Sequence, residues 1–346
     1  ALDSLSPQVH GARAGDRGAR PAYLDPAVEL VAGDVRDPDA VGRALVGVDA
    51  VVHLAAAVGV GQSMYEIAAY TGINDLGTAV LLEAMTARPV GRLVVASSMS
   101  VYGEGLARDA RGRPVEPGLR GRLQRQLLRR GVEGPDGDPL EPVPTPESKT
   151  PALASVYALN KFTQERLGLI WGRAYGVPTT ALRFFNVYGT RQALSNPYTG
   201  VLAIFAARLL NGRPPMVFED GRQRRDFVHV RDVARAILAA LESPAAAGQV
   251  LNVGSGTART VEEVARALAR AVGRPDLRPQ VTGRYRAGDI RHCFADIARA
   301  RTVMGWAPEE DLEAGLVELA GWLAGEVAID RVEQATAELS RRGLVA

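Results

Sequence analysis

The sequence predicts an α/β fold built on a doubly wound parallel sheet, with a smaller C-terminal α/β lobe. Short apolar runs recur along the 346 residues, at Val28–Ala32, Ala50–Ala56, Arg92–Ser97, Pro178–Phe184 and Val250–Gly254. They are continuous rather than alternating, the pattern of strands buried on both faces. Helical patterns lie between them, and strands that alternate with helices pair in parallel. Apolar residues make up 47% of the chain and charged residues 23%, enough material for a sizeable core.

Each element carries a local signal. Asp37-Pro38 sets a capping carboxylate before a proline at the first helical position. Asn74–Met85 has an apolar stripe at helical spacing, and Val156–Tyr175 is a long helix stopped by Gly176. Thr260 with Glu263 reads as a capping box. Gly103 to Thr150 breaks the rhythm with many Gly, Pro and Arg residues around one short helical stretch, Leu119–Arg130. A stretch that long without regular structure is expected to be a functional lid or disordered.

Composition excludes several function classes. Basic and acidic side chains number 41 and 39, so no large basic face for nucleic acid is expected. No apolar run approaches the roughly 18 residues of a membrane helix. Cys293 is the sole cysteine, which rules out an intrachain disulfide. With four histidines beside it, no metal site is expected. The chain opens on Ala1-Leu2-Asp3, and no signal peptide is visible. A cytoplasmic enzyme is the expectation, with neither nucleic acid nor membrane as a partner.

The chemistry gathers at Tyr157-Ala-Leu-Asn-Lys161. A spacing of four puts both side chains on one helix face. A lysine charge there lowers the phenol pKa and makes tyrosine a usable base. Lys149 and Lys161 are the only lysines among the 41 basic residues, so this position asks for something arginine lacks. With nine tyrosines and two lysines, about 0.05 such pairs would arise by chance. The bland alternative is a surface tyrosine near a solvated lysine. Val95-Ala-Ser-Ser-Met-Ser-Val-Tyr-Gly103 adds hydroxyls, Ser97, Ser98 and Ser100, at the end of an apolar strand. In a doubly wound sheet that end faces the ligand crevice; otherwise it is a polar turn.

Four motifs occur in order: Ser98-x-x-x-Tyr-Gly, Tyr157-x-x-x-Lys, Arg183-Phe-Phe-Asn-Val-Tyr-Gly189 and Arg225-Asp-Phe-Val-His-Val. Together they resemble the extended short-chain dehydrogenases, the NAD-dependent nucleotide-sugar epimerases and dehydratases, from Leu2 to about Gly321. The resemblance implies NAD as cofactor. Asp3 would bind the adenosine ribose, and an acid there disfavours a 2′-phosphate. Asp34 and Val35 resemble the pair that holds adenine. Leu54, Ala55 and Ala56 resemble the pyrophosphate-side loop, and Asn74 the asparagine braced against it. Tyr157, Lys161 and Phe184 would complete the cofactor site. For the substrate, Ser98 and Ser100 would face the sugar and Asn186 the diphosphate. Arg225 and Arg286 resemble its arginine clamp, Phe218 the wall against the base, and Asp289 the acid on the ribose. Cys293 resembles a small residue facing the sugar, where a larger one would restrict substituents. The resemblance also implies a NAD-binding domain over 1–186 and a substrate lobe over 187–346, with 228–243 returning to the first. A homodimer through Asn74–Met85 and Val156–Tyr175 is implied as well.

The sequence departs from the family twice. The opening strand, the Gly-x-x-Gly-x-x-Gly turn and the first helix, roughly 25 to 30 residues, do not precede Asp3, and Val58-Gly-Val-Gly61 does not replace them. The expectation is that they belong to a longer chain. Ser98 to Tyr157 is also longer than in the family, which defines an insertion over about 104–150. It resembles one in enzymes similar to dTDP-L-rhamnose 4-epimerase, but without cysteines. The 4,6-dehydratases and the decarboxylases carry carboxylates just after the serine, where this chain has Met99 and Ser100. That leaves 4-epimerisation of a UDP- or dTDP-hexose through a transient 4-keto sugar. The alternatives are another nucleotide-sugar enzyme of this fold (decarboxylase, 4,6-dehydratase or 4-ketoreductase) or a non-catalytic nucleotide-sugar-binding protein.

Overall fold

A computed structural model describes residues 1–10, 20–120, 131–134, 137–194, 196, 198, 200–326 and 330–345. Four strands lie side by side in the order Val250–Val253, Thr179–Phe184, Arg92–Ser98, Ala50–His53, all parallel. A separate parallel pair joins Leu2–Asp3 to Val31–Ala32. Two of the expected strands are shorter than their apolar runs. The run from Ala50 leaves the ladder at His53, because Ala57 is held by Asn74 instead: Ala57 N–H donates to Asn74 Oδ1 at 2.7 Å, and Asn74 Nδ2 donates to Ala57 O at 3.1 Å. The run from Val28 pairs only over Val31–Ala32.

The caps read from the sequence are present. Asp37 accepts from Asp39 N–H with Pro38 beginning the helix, Gly176 ends the long helix at φ 68°, and Thr260 and Glu263 cap each other reciprocally. The Val156–Tyr175 helix has the expected bounds, with Ser155 as its N-cap. The helix expected over Asn74–Met85 starts earlier. Ile67–Thr71, a π-helical turn at Gly72–Leu76 and Gly77–Ala87 run on from one another. Gly72 and Gly77 read as breakers in the sequence. Gly77 instead allows close contact, since a Cβ there would lie 2.4 Å from Val35 Cγ1.

The second half builds a smaller sheet. Arg224–His229 pairs antiparallel with Ala258–Thr260, and parallel with His292–Cys293 and Asn186–Tyr188. The Val230–Glu242 helix turns back to the large sheet, where Val233, Ala236 and Ala240 pack with Val94, Leu182 and Leu251. Two large clusters result, this one and another around Phe205, Leu268 and Leu319.

The Gly103–Thr150 region is more regular than expected where it is described. Ala107–Arg108 pairs antiparallel with both Pro114–Val115 and Glu141–Pro142. Thr145 bridges Ala295, which fixes the return of the chain to the body of the protein. From position 121 onward, the helical stretch expected over 119–130 lies outside the described residues; Leu119 and Arg120 are neither helix nor strand.

The long helix sits tightly on the sheet at two glycines. A Cβ on Gly168 would lie 2.8 Å from Val95 Cγ2, and one on Gly172 would lie 2.1 Å from Thr179 Oγ1 and 2.7 Å from Val177 O. Alanine normally gains about 1 kcal/mol over glycine within a helix. At Gly172 the overlap includes backbone, and overpacking costs about 1–3 kcal/mol. Gly172→Ala should therefore destabilise the protein, read as a lower urea midpoint with an unchanged slope.

Candidate functional site

One face of the long helix carries Tyr157, Lys161, Gln164 and Glu165, all buried. Its first turn is held to a neighbouring helix, where Tyr157 N–H donates to Ser63 Oγ at 3.0 Å. Ser98 ends its strand and caps the following 3-10 turn, accepting from Ser100 N–H at 3.2 Å and from Ser100 Oγ at 3.0 Å. Burial pushes the Tyr157 phenol up to about 12, and a hydrogen bond with Ser98 opposes this. The structure thus brings Ser98, Ser100, Tyr157 and Lys161 into one neighbourhood.

Burial pushes the Lys161 ammonium down to about 7. Burial thus acts on the phenol and on the ammonium in opposite directions. The reason is desolvation, which disfavours each charged form separately.

Sequence reading missed the residues that hold this lysine. Lys161 Nζ donates to Gln164 Oε1 at 2.8 Å. The Gln164 amide faces His53 Nε2 at 3.1 Å, Thr78 Oγ1 at 2.9 Å and Ala55 O at 3.3 Å. Thr78 Oγ1 donates to Asn74 O at 2.6 Å. A buried chain therefore links the lysine to the loop at Leu54–Ala56. His53 is buried and pushed down to about 3, so it is neutral. Helical spacing from Lys161 to Gln164 was the available signal, but a glutamine three residues on is commonplace.

The remaining cofactor candidates lie along the carboxyl ends of the strands. Asp3 ends its strand, exposed, and accepts from Leu5 N–H at 2.7 Å. Asp34 pairs with Arg36 at 2.6 Å, which holds its carboxyl below the usual range. Val35 is buried in the core beneath Gly77. Leu54 is exposed; Ala55, Ala56 and Phe184 are half-buried. These residues fit a dinucleotide. Asp3 and Lys161 keep hydrogen-bonding capacity for ribose hydroxyls, and the alanines of the braced loop let a pyrophosphate approach backbone.

The substrate candidates gather in the second half. Arg286 lies over the Phe218 ring at 4.7 Å and bonds Asp289 Oδ2 at 3.0 Å. Arg225 Nη1 donates to Arg291 O at 3.1 Å, and Nη2 donates to Ile290 O. Its guanidinium has carbonyl partners but forms no ion pair among the described residues. Asn186 Oδ1 is buried without a partner among them. Cys293 is 1% exposed and packs with Met99, Val101 and Phe185, its thiol pushed up to about 12 by burial.

Such a site, at the carboxyl edge of a parallel sheet with a buried Tyr-x-x-x-Lys pair, defines a dinucleotide-dependent enzyme of the short-chain dehydrogenase type. The chain belongs to the NAD dependent epimerase/dehydratase family, whose pattern matches residues 1–118 and 133–254. It is 36% identical over 331 residues to the dTDP-L-rhamnose 4-epimerase of Burkholderia thailandensis, covering 94% of this chain and 88% of that one. It also superposes on the UDP-glucose 4-epimerase of Thermotoga maritima in complex with UDP-glucose, at 28% identity and TM-score 0.73, covering 93% and 89%. The Thermus thermophilus UDP-glucose 4-epimerase in complex with NAD matches at 28% identity and TM-score 0.71, covering 89% and 88%.

The buried lysine makes a pH prediction. Between about 7 and its ordinary value of 10.5, the unfolded chain binds a proton at Lys161 that the folded one does not, so stability rises with pH in that window. Tyr157 acts oppositely between 10 and about 12, where the folded state keeps the proton. Lys161→Met should abolish the rise between pH 7 and 10, a difference on the order of a few kcal/mol. It should leave the cofactor-free protein at least as stable as wild type at pH 7. Urea midpoints across pH, compared between the two proteins, test this; parallel profiles would contradict it.

Proposed function

We propose that the protein is a NAD-dependent nucleotide-sugar 4-epimerase acting on a UDP- or dTDP-hexose. The observation that carries this is the strand end Ser98-Met99-Ser100 beside buried Tyr157. Hydroxyls are present there, and neither Met99 nor Ser100 supplies a carboxylate for elimination across C5 and C6. NAD, when bound, supplies the hydride acceptor and later its donor. Asp3, Asp34, Leu54, Ala55, Ala56, Asn74 and Phe184 would hold it, with Val35 packed beneath.

Ser98 orients the sugar C4 oxygen, and Tyr157 removes its proton and later returns it. Lys161 holds the ribose and, once its hydrogen bonds are complete, carries the charge that favours the phenolate. Asn186, Arg225 and Arg286 receive the diphosphate; Asp289 and Phe218 receive the nucleoside. Residues 1–186, with 228–243, serve the cofactor, and the rest of 187–346 serves the substrate.

The assembly we propose is a homodimer through the helical segments Asn74–Met85 and Val156–Tyr175. Leu76, Leu159, Ile170 and Tyr175, on these helices, are exposed apolar side chains. Light scattering at micromolar concentration should give twice the chain mass; a monomer would contradict it.

A panel of UDP- and dTDP-sugars followed by NMR should show inversion at C4 without net change in NADH absorbance. Tyr157→Phe should lower kcat by about 10²–10⁴-fold while the fold is kept. Lys161→Arg should also be impaired, because the wider fork does not fit a site closed around an ammonium. Accumulation of a 4-keto-6-deoxy product from dTDP-glucose would replace this reading with a dehydratase.

A further inference from the structure

Arg120 ties the insertion to the substrate residues. Arg120 Nε donates to Glu104 Oε1 at 2.7 Å, Nη2 donates to Glu219 Oε1 at 2.9 Å, and Nη1 donates to Glu219 Oε2 at 3.2 Å. Nη2 also donates to Asp289 O at 3.0 Å. Glu104 follows the Ser98–Gly103 segment, Glu219 follows Phe218, and Asp289 is the partner of Arg286. Arg291 completes the group, with Nη1 on Glu219 at 2.9 Å and both guanidinium ends on Asp220. Glu104 further accepts from the backbone N–H groups of Arg291 and His292. Arg120, Glu104 and Glu219 are all buried here.

Beside Arg120 lies a cavity of about 190 Å³ lined by Gly103, Glu104, Leu119, Ala154, Gly288 and Asp289. Its floor is the segment that leaves Ser98, and its far wall is the loop that carries Arg286 and Asp289. Leu119 closes another side: a Cβ on Gly103 would come within 3.2 Å of Leu119 Cδ2. Leu119 and Arg120, with Glu104 at the start of the insertion, therefore complete a cavity whose other walls come from both halves of the chain.

We propose that Leu119 and Arg120 are specificity-determining residues: they form the insertion's wall of the substrate cleft and set its fit at the nucleoside end of a pyrimidine nucleoside diphosphate. This rests on the nucleotide-sugar reading above. Arg120 acts by position. Fixed on Glu104 and Glu219, it joins Asp289 and Phe218 to the Ser98 segment and keeps the two buried carboxylates neutralised beside an anionic ligand. Without it, Glu104 and Glu219 lose their shared partner and the cleft gains negative charge. Ligand affinity then falls while proton transfer at Tyr157 is untouched.

The test uses the NAD-loaded enzyme with UDP and dTDP as probes, measured by calorimetry, together with kcat and KM on the best hexose substrate. Arg120→Met should weaken nucleotide binding and raise KM by about 10-fold or more, with kcat within about twofold. Arg120→Lys should recover part of the loss. Leu119→Ala, which leaves the charge unchanged, should alter the preference between UDP and dTDP. Arg108→Ala removes an exposed ion pair with Glu141 elsewhere in the insertion and should change neither constant. A lower melting temperature in Arg120→Met with unchanged binding and KM would make Arg120 merely a structural tie and overturn the proposal. Should Arg120→Met not fold, unchanged UDP and dTDP affinities in both Arg120→Lys and Leu119→Ala would overturn it equally. Absence of binding by the wild-type holoenzyme would instead overturn the nucleotide-sugar reading, and this proposal with it.

Discussion

The close seating of the Val156–Tyr175 helix on the sheet is the constraint on which the rest depends. Gly168 and Gly172 leave no room for a methyl group against Val95 and Thr179, so the helix axis is set by contact with backbone and β-branched side chains. One turn further toward the N-terminus, Glu165 accepts from Ser97 Oγ at 2.7 Å and from Arg183 at 2.8 and 2.9 Å. That buried bidentate pair links the helix to two adjacent strands. Continuing by the same spacing, the next positions on this face are Lys161 and Tyr157. Packing residues and reactive residues therefore share one stripe, and an error in helix placement would displace all of them together.

The same stripe accounts for how buried charge is tolerated. Glu165 and Arg183 satisfy one another, with Arg183 also 4.7 Å over the Tyr102 ring. The charges of Glu104, Arg120, Glu219, Asp220 and Arg291 are likewise paired within their cluster, although Arg291 Nε has no partner among the described residues. Breaking such a network costs more than its formation gains, because each remaining charge stays desolvated. Arginine suits these sites since one planar fork bridges two carboxylates. Lys149, the second lysine, is also buried, donating to Thr150 O at 2.8 Å near the return of the insertion. Both lysines of this arginine-rich chain are interior.

What was legible in the sequence follows from how local each signal is. The Val156–Tyr175 helix could be bounded because Ser155 and Gly176 act on their own turns, and the capping box at Thr260 is equally local. Parallel strands were legible as continuous apolar runs, but their ends were not. His53 leaves the ladder because Asn74, 21 residues on, captures the following loop. The early start of the Ile67–Ala87 run was hidden by Gly72 and Gly77, which serve a π-turn and a contact with Val35. The residues around Lys161 illustrate the limit most clearly. Tyr157, Lys161 and Ser98 carry sequence patterns of their own. Gln164, His53 and Thr78 come from three separate elements and mean nothing until the fold brings them together. Arg120 was hidden similarly, as one arginine among many in an irregular stretch.

The state of Tyr157 and Lys161 also explains why the pair is buried at all. Desolvation raises the phenol and lowers the ammonium, and Gln164 supplies one acceptor to a group with three donors. Exposing the pair would restore ordinary pKa values, but it would leave a base some three units above neutrality and screen the lysine by water. Burial trades that for conditional activation. A ligand hydroxyl that accepts from Lys161 favours the charged lysine, and in a dry site that charge acts strongly on a phenol one helical turn away. Gln164 accepts from Lys161, and its own amide is fixed by His53, Thr78 and Ala55. The Leu54–Ala56 loop and Lys161 are therefore parts of one hydrogen-bonded unit.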